Sequence, residues 1–283
     1  MLDYHVHSDF SIDCDTPMDV SCRAAVAAGV TEIAFTDHLD HETADPGFGY
    51  YRPEEYLRSI EAVRQEFAGQ LTVLAGVEID FNERIAPAVE RFITRYGAGY
   101  DVIIGSVHYT TSGELIFPAH FRARSLDDVF VPYLRQVRLA VDTGWFDTIG
   151  HLDLPKRYAP AATHGTYDPL LYRTYLEPIF AALIERGMSF EINTSGLRQT
   201  PRTSMPGPAV VRWYVEAGGT LITTGSDSHV AETIGSGLAR SLAMLQVCGI
   251  ATVSAFRSRK RRQVPIADLL GGDGVRTRAA VAS

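Results

Sequence analysis

His5-Val6-His7 closes a short apolar run that opens at Met1, and the same pattern recurs along the chain. Ile33–Thr36 runs into Asp37-His38, Val73–Val77 into Glu78 and Val102–Val107 into His108. Thr148–Gly150 runs into His151, and Leu221–Ser226 into Asp227-Ser228-His229. One run, Met188–Ile192, ends instead at Asn193. Imidazole and carboxylate together are ligand types for Zn, Mn or Fe(II), and they suit Mg less well. Gathered at the same end of parallel strands, they would converge in one pocket. The chemistry such a pocket serves is metal-assisted hydrolysis. Two histidines at i, i+2 are weak by themselves, since a pair of satisfied histidines is commoner. Five further strand ends of the same chemistry argue against that reading.

The elements that must position these residues follow from pattern. Short apolar runs alternate with longer helical patterns, the signature of βα units around a parallel sheet. A first helix opens at Thr16-Pro17 and stops at Gly29; a second runs from Pro53 through Phe67 to Gly69. A third spans about Glu83 to Tyr96, and a fourth Leu126 to Thr143, closing at Gly144. Asp168-Pro169 caps a fifth that ends at Gly187, Pro206 to Ala217 forms a sixth, and a seventh lies near Gly237 to Cys248. Seven strand–helix pairs exceed a small open sheet and fall one short of the eight-unit barrel.

The 283 residues carry 46% hydrophobic and 21% charged side chains, ordinary for a soluble globular protein. The formal charge of −8 argues against sequence-independent nucleic-acid binding, which needs a basic surface. A phosphorylated small molecule is not excluded, because a metal site sets its own local charge. No apolar run is long enough to span a membrane. Cys14, Cys22 and Cys248 show no CxxC spacing, and no signal peptide is visible, so a cytoplasmic location is expected. Residues 1–266 read as one barrel domain and 267–283 as a disordered tail. The basic run Arg257–Arg262 reads as a solvated, frayed terminus rather than a nucleic-acid or phosphate patch.

His5-Val-His7-Ser8, Thr36-Asp37-His38, Gly76-Val-Glu78, Ser106-Val-His108 and Gly225-Ser-Asp-Ser-His229 resemble the successive motifs of the PHP (polymerase and histidinol phosphatase) superfamily. Ile104–Tyr109, Gly150–Lys156 and Asn193–Arg198 are similar to its histidinol-phosphatase branch, so the resemblance runs from about Asp3 to about Pro265. It implies a distorted TIM-like (β/α)7 barrel with three divalent metals (Zn, Mn or Fe) at the carboxyl ends of the strands. The reaction it implies is hydrolysis of L-histidinol phosphate to L-histidinol and phosphate, in histidine biosynthesis. Carried over residue by residue, one metal takes His5, His7, Glu78 and Asp227. A second shares Glu78 and adds His108 and His151. A third takes His38, His229 and a residue shortly after the first motif. Many relatives have histidine at that last place; this chain offers Asp13, with Asp15 as the fallback.

Several divalent ions would neutralise a phosphate monoester, and a water bridging two of them would deprotonate near neutral pH to become the nucleophile. Glu78 is the natural bridging carboxylate. Asp227 or His229 would protonate the leaving group. Arg198, Arg157 and Lys156 would bind the phosphate, since guanidinium suits its planar bidentate capture. Asp37 and Asp153 would either orient ligand imidazoles or cap turns. The acidic loop Asp40–Asp45 would face a cationic substrate end or simply be solvated. His41, His120 and His164 fit no strand end and read as surface or rim residues. Other readings are a PHP phosphoesterase for nucleotides or other small phosphomonoesters, a catalytically silent metal-dependent scaffold, and a TIM-barrel amidohydrolase. The last would want a metal-bridging lysine at mid-chain, where only Lys156 stands, beyond its strand.

Overall fold

The computed structural model describes residues 1–271. Its strands are β1 Leu2–Val6, β2 Glu32–Phe35, β3 His38–Leu39, β4 Thr72–Asp80, β5 Val102–Ser106, β6 Thr148–Ile149, β7 Ser189–Asn193 and β8 Ile222–Gly225, followed by β9 Thr252–Arg257 and β10 Lys260–Pro265. The helices are α1 Met18–Ala27, α2 Pro53–Glu66, α3 Ala86–Tyr96, α4 Leu126–Thr143, α5 Ala161–His164, α6 Arg173–Arg186, α7 Ser195–Arg198, α8 Pro208–Glu216, α9 Leu238–Val247 and α10 Ile266–Leu270.

The barrel wall runs β1-β2-β4-β5-β6-β7-β8, with β3 continuing β2 beyond a break at Thr36-Asp37 and pairing with β4. Every neighbouring pair is parallel. The ends of the wall meet where Asp227 N donates to His5 O at 2.7 Å and His7 N donates to Ser228 O at 2.9 Å. This is the distorted TIM-like (β/α)7 barrel that the strand–helix count and the family resemblance imply. Strands flanked by helices are buried on both faces, so they read as near-continuous apolar runs rather than alternating ones. β1, β2, β5, β7 and β8 are buried at every position.

Local chemistry sets the helix ends. Ser125 and Asp128 form a reciprocal capping box before α4, and Gly144 closes it at φ +68°, a left-handed value that favours glycine. α3 starts three residues later than the sequence suggests. Arg84 N donates to Asn82 Oδ1 at 3.0 Å and Ile85 N to Asn82 O at 3.0 Å, so a turn at Asn82 uses those residues first. Asp168 caps a 3₁₀ turn, Pro169–Tyr172, that leads into α6. α5 and α7 are single-turn helices beyond the seven that the pattern suggests.

The basic run at Arg257–Arg262 is not frayed. It forms the antiparallel hairpin β9–β10. The hairpin lies against the amino ends of the strands. Phe256 N donates to Tyr4 Oη at 2.8 Å, Arg259 Nε pairs with Asp147 at 3.0 Å, and Arg262 Nη2 with Glu32 at 2.6 Å. Charge density reads as solvation only when no partner is visible, and these carboxylates lie more than 100 residues upstream. The expected tail, 267–283, falls partly in α10; residues 272–283 lie outside the described residues.

Candidate metal centre

Each strand end delivers its side chain to one point. His5 and His7 leave the end of β1, Glu78 stands within β4, and His38 opens β3 in register with Glu78. His108 follows β5, His151 follows β6, and Asp227 and His229 follow β8. Asp227 adopts φ +52°, a left-handed conformation that costs a non-glycine residue about 1–2 kcal/mol. Its neighbours hold it there: Asp227 N donates to His5 O, and Asp3 accepts Ser226 N at 2.8 Å and Gly235 N at 2.9 Å.

The donor atoms fall into three groups around Glu78. Glu78 Oε2 lies 3.2 Å from His5 Nε2 and 3.6 Å from His7 Nε2, which are 3.1 Å apart. Asp227 Oδ1 completes this group at 3.5 Å from His7 Nε2 and 3.9 Å from His5 Nε2. Glu78 Oε1 lies 3.0 Å from His151 Nε2 and 3.6 Å from His108 Nε2, themselves 3.2 Å apart. Asp13 Oδ2 lies 3.2 Å from His229 Nε2 and 3.7 Å from His38 Nε2. Ligands about 2.0–2.1 Å from a tetrahedral ion stand about 3.3–3.4 Å from one another. The observed separations scatter around that value.

The arrangement suits a cation. Glu78 Oε2 is buried and makes no well-formed hydrogen bond among the described residues, and it faces His38 Nδ1 at 3.0 Å and His5 Nε2 at 3.2 Å. Facing imidazole nitrogens can each donate at most one proton. The electrostatics divide the histidines: against the cost of burial, Glu191, Glu78 and Asp227 push His5 well up, and Glu78 and Asp13 push His38 up to about 10. Burial and the neighbouring His229 and His38 push His7 well down, and burial lowers His108 and His151. Burial works against ionisation of Glu78 and Asp227, yet the surrounding imidazoles hold both carboxyls well below the usual range. Ionised carboxylates are what metal ligation requires, and on ligation His5 and His38 would give up the proton that these carboxylates hold there.

Asp13, rather than Asp15, reaches the centre. Both are exposed, but Asp15 pairs with neither His38 nor His229. Asp227 Oδ2 accepts from Arg157 Nη2 at 2.8 Å, Asn193 Nδ2 at 3.1 Å and Ser195 Oγ at 3.1 Å, while Oδ1 faces the imidazoles. His229 faces Asp13 with Nε2 and Asp227 with Nδ1, so a ligand role at Nε2 leaves no proton there for a leaving group.

Arg157 lines the pocket over the centre, and its Nε is buried without a partner. Arg198 donates to Ser226 O at 2.8 Å, beside Asp227, and its Nη1 is also unpartnered. Lys156 goes elsewhere. Its Nζ is tied to Asp153 Oδ2 at 2.7 Å and Ser204 O at 2.8 Å, and it lines a different cavity. Consecutive residues of the 3₁₀ turn Leu154–Arg157 serve different pockets, which spacing alone does not reveal. Asp153 consequently serves Lys156 rather than the His151 ring. Asp37 accepts from Ser8 and from Ser11 Oγ, and Ser11 Oγ in turn contacts His7 Nδ1 at 2.9 Å. His120 and His164 lie away from the centre, where Arg124 Nη1 donates to His120 Nδ1 at 3.1 Å and His164 Nε2 donates to Arg124 O at 2.8 Å, and the His41 ring packs on Phe92.

Two orienting carboxylates escaped the strand-end rule. Glu191, inside β7, accepts from His5 Nδ1 at 2.7 Å and from His151 N at 2.9 Å. Asp80, two residues beyond Glu78, accepts His108 N at 2.9 Å. Their signal was a charged residue inside an apolar strand, which must find a partner when buried. Asn193, the odd strand end, donates to Asp227 and Glu191.

A parallel α/β barrel with histidines and carboxylates converging at the carboxyl ends of its strands defines the class. The chain belongs to the PHP domain family, whose domain is matched over residues 3–195. A probable histidinol-phosphatase of Deinococcus radiodurans is 32% identical over 272 residues, covering 92% of this chain and 98% of that protein. A histidinol-phosphatase of Lactococcus lactis is 28% identical, covering 92% of this chain and 95% of that one. The crystal structure of histidinol phosphate phosphatase from Lactococcus lactis, complexed with zinc, L-histidinol and phosphate, has a TM-score of 0.79 at 25% identity. It covers 92% of this chain and 98% of that one.

Proposed function

We propose that this chain is a metal-dependent histidinol-phosphatase, hydrolysing L-histidinol phosphate to L-histidinol and phosphate in L-histidine biosynthesis. The observation that carries the reading is Glu78, whose two oxygens are shared between two groups of imidazoles. That is the geometry of a bridging carboxylate. Three divalent ions would be held: one by His5, His7, Glu78 and Asp227, one by Glu78, His108 and His151, and one by Asp13, His38 and His229. Zinc is the ion bound in the Lactococcus structure, and this donor set suits it. What the ions supply when bound is charge neutralisation of the phosphate and a more acidic water.

The protein's own groups do the rest. Arg157, with its free Nε at the pocket wall, binds phosphate oxygens, and Arg198 supports the Ser226–Asp227 backbone from behind. Glu191 and Asn193 hold His5 and Asp227 in the orientation that ligation needs. Ile12, Leu115, Phe117 and Tyr158 give the same pocket an apolar side that sheds water around the ester. Asp40 and Asp45 line it too, and Tyr109 Oη donates to Asp45. Two carboxylates on one wall match the cationic amine and imidazole of histidinol, which nucleotides lack. Cys14, Cys22 and Cys248 are free and buried, as suits a cytoplasmic enzyme.

The test is phosphate release from L-histidinol phosphate beside p-nitrophenyl phosphate and nucleoside monophosphates, with metal content measured on the same sample. A preference of at least about 100-fold for histidinol phosphate is expected. Turnover confined to nucleotides would keep the barrel and overturn the substrate.

A further inference from the structure

The three groups of donors around Glu78 are not equally built. The His5 and His7 side chains are fully buried, that of Glu78 is 1% exposed and that of Asp227 6%. Exposure rises to 17% at His38, 28% at His229 and 52% at Asp13. Bracing follows the same gradient. Asp227 Oδ2 accepts from Arg157, Asn193 and Ser195, and Glu78 accepts from Ser106 Oγ. Glu191 holds the His5 ring, and Asp80 holds His108 by its backbone N–H. No such donor braces Asp13. Among the described residues its carboxylate faces only His229 Nε2 at 3.2 Å and His38 Nε2 at 3.7 Å, the two nitrogens that would share its ion. Asp13 stands in the loop between β1 and α1, so an ion there must order an exposed side chain. The ligands of the inner groups are ordered by folding itself.

Charge sharpens the difference. Glu78 and Asp227 serve the inner two ions, whereas Asp13 is the single carboxylate ligand of the outer one. An outer dication therefore joins two others with one negative charge to offset it. Asp40 and Asp45 also line the pocket, where the cationic end of the substrate would neutralise them. A phosphate monoester brings about two negative charges, and one of its oxygens fits the position that three protein donors leave open. We propose that the outer ion, on Asp13, His38 and His229, is exchangeable: it binds last, leaves first and is tightened by the phosphate group of the substrate, while the inner two stay. At low free metal the resting protein then holds two ions, and the third joins with the phosphate. Linkage is reciprocal, so the outer ion raises the affinity for phosphate by the same factor. This rests on the three-ion reading of the site, not on which phosphomonoester is turned over.

The experiment is dialysis of the zinc-loaded protein against chelator buffers of falling free zinc, with and without millimolar inorganic phosphate. Bound zinc per chain is read by elemental analysis. One ion should leave at a free zinc at least about tenfold above that needed to keep the other two, and phosphate should lower its midpoint about fivefold or more. Calorimetry should show phosphate binding weakened by the same factor in the two-ion form. Asp13→Asn, at an exposed position, should abolish the labile step and its response to phosphate, and leave the other midpoints within about twofold. His229→Ala serves the same purpose if Asp13→Asn does not fold. Loss of all ions at one midpoint overturns the proposal, as does a labile step that phosphate does not move. A phosphate-sensitive step that survives these variants overturns it too, and so does a capacity of two ions per chain with phosphate present. Turnover of L-histidinol phosphate is followed on the same samples. Turnover without a phosphate-sensitive ion keeps the phosphatase and sinks the proposal; a phosphate-sensitive ion without turnover does the reverse.

Discussion

Replacing Glu191 by glutamine separates orientation from ligation. Glu191 is buried and touches no candidate ion, yet one oxygen accepts His5 Nδ1 at 2.7 Å and the other His151 N at 2.9 Å and Asn193 Nδ2 at 3.2 Å. Glutamine has the same shape but only one accepting oxygen. If that oxygen faces His5, the amide NH₂ confronts the His151 N–H; if it faces His151, the NH₂ confronts the His5 ring. One of the two bonds must therefore break, and a buried donor left unpaired costs about 1–3 kcal/mol. The loss falls on the holo state, because His5 must keep its proton on Nδ1 to leave Nε2 free for a cation. Orienting partners of metal-bound histidine are worth about 10–100-fold in metal affinity, or about 1.4–2.7 kcal/mol. We expect Glu191→Gln to weaken zinc binding by that factor in a competition titration with a chelator. kcat/KM should fall at low zinc and recover partly when zinc is raised. A variant with unchanged zinc affinity and a lower apo Tm would refute the reasoning, and Glu191 would then be a packing residue only.

Five other substitutions probe the site. Asp13→Ala should remove about one ion per chain by elemental analysis and leave the others in place, whereas Asp15→Ala should change nothing; equal effects would return the third position to an open choice. Arg157→Ala should lower kcat/KM by about 100-fold, since it faces the phosphate, with a smaller loss of stability than Lys156→Ala because Asn193 and Ser195 still donate to Asp227. Lys156→Ala should do the reverse, costing about 3–5 kcal/mol in urea unfolding by stranding the buried Asp153 carboxylate. Similar kinetic losses in both would contradict the assignment of the two residues to different pockets. Gly225→Ala should destabilise by about 1–3 kcal/mol and reduce zinc content together, because its Cβ would collide with His5 Cβ and Glu191 Oε1. Retained stability and zinc content would mean that β1 and β7 have more room than the structure shows.

Most of the barrel was legible because its signals are local. An apolar run bounded by glycine or proline marks a strand whether or not its neighbours are known, and α4 matches residue for residue because Ser125, Asp128 and Gly144 act within their own turns. The ligand types were legible for a similar reason: polar groups at the ends of buried strands recur at every turn of the βα repeat, so chemistry and fold share one period. The family resemblance then sorted them into three groups, with distances that the structure supplies.

Tertiary structure alone decided the pairings across that period. Glu191 belongs to the centre because closure leaves only β8 between β7 and His5 on β1, a relation spanning 186 residues that no spacing encodes. Lys156 and Arg157 are neighbours in sequence and part company because a 3₁₀ turn sends successive side chains to different sides. The arginines of β9–β10 became structural when Glu32, Asp101 and Asp147 collected at the amino ends of distant strands, where Ser258 N and the guanidinium groups meet them. Residue type and strand position set what the centre could bind, because those depend on a few neighbours in the chain. Which carboxylate orients, which ligates and which cation is diverted depends on closing the barrel, because closure alone brings the first strand against the last.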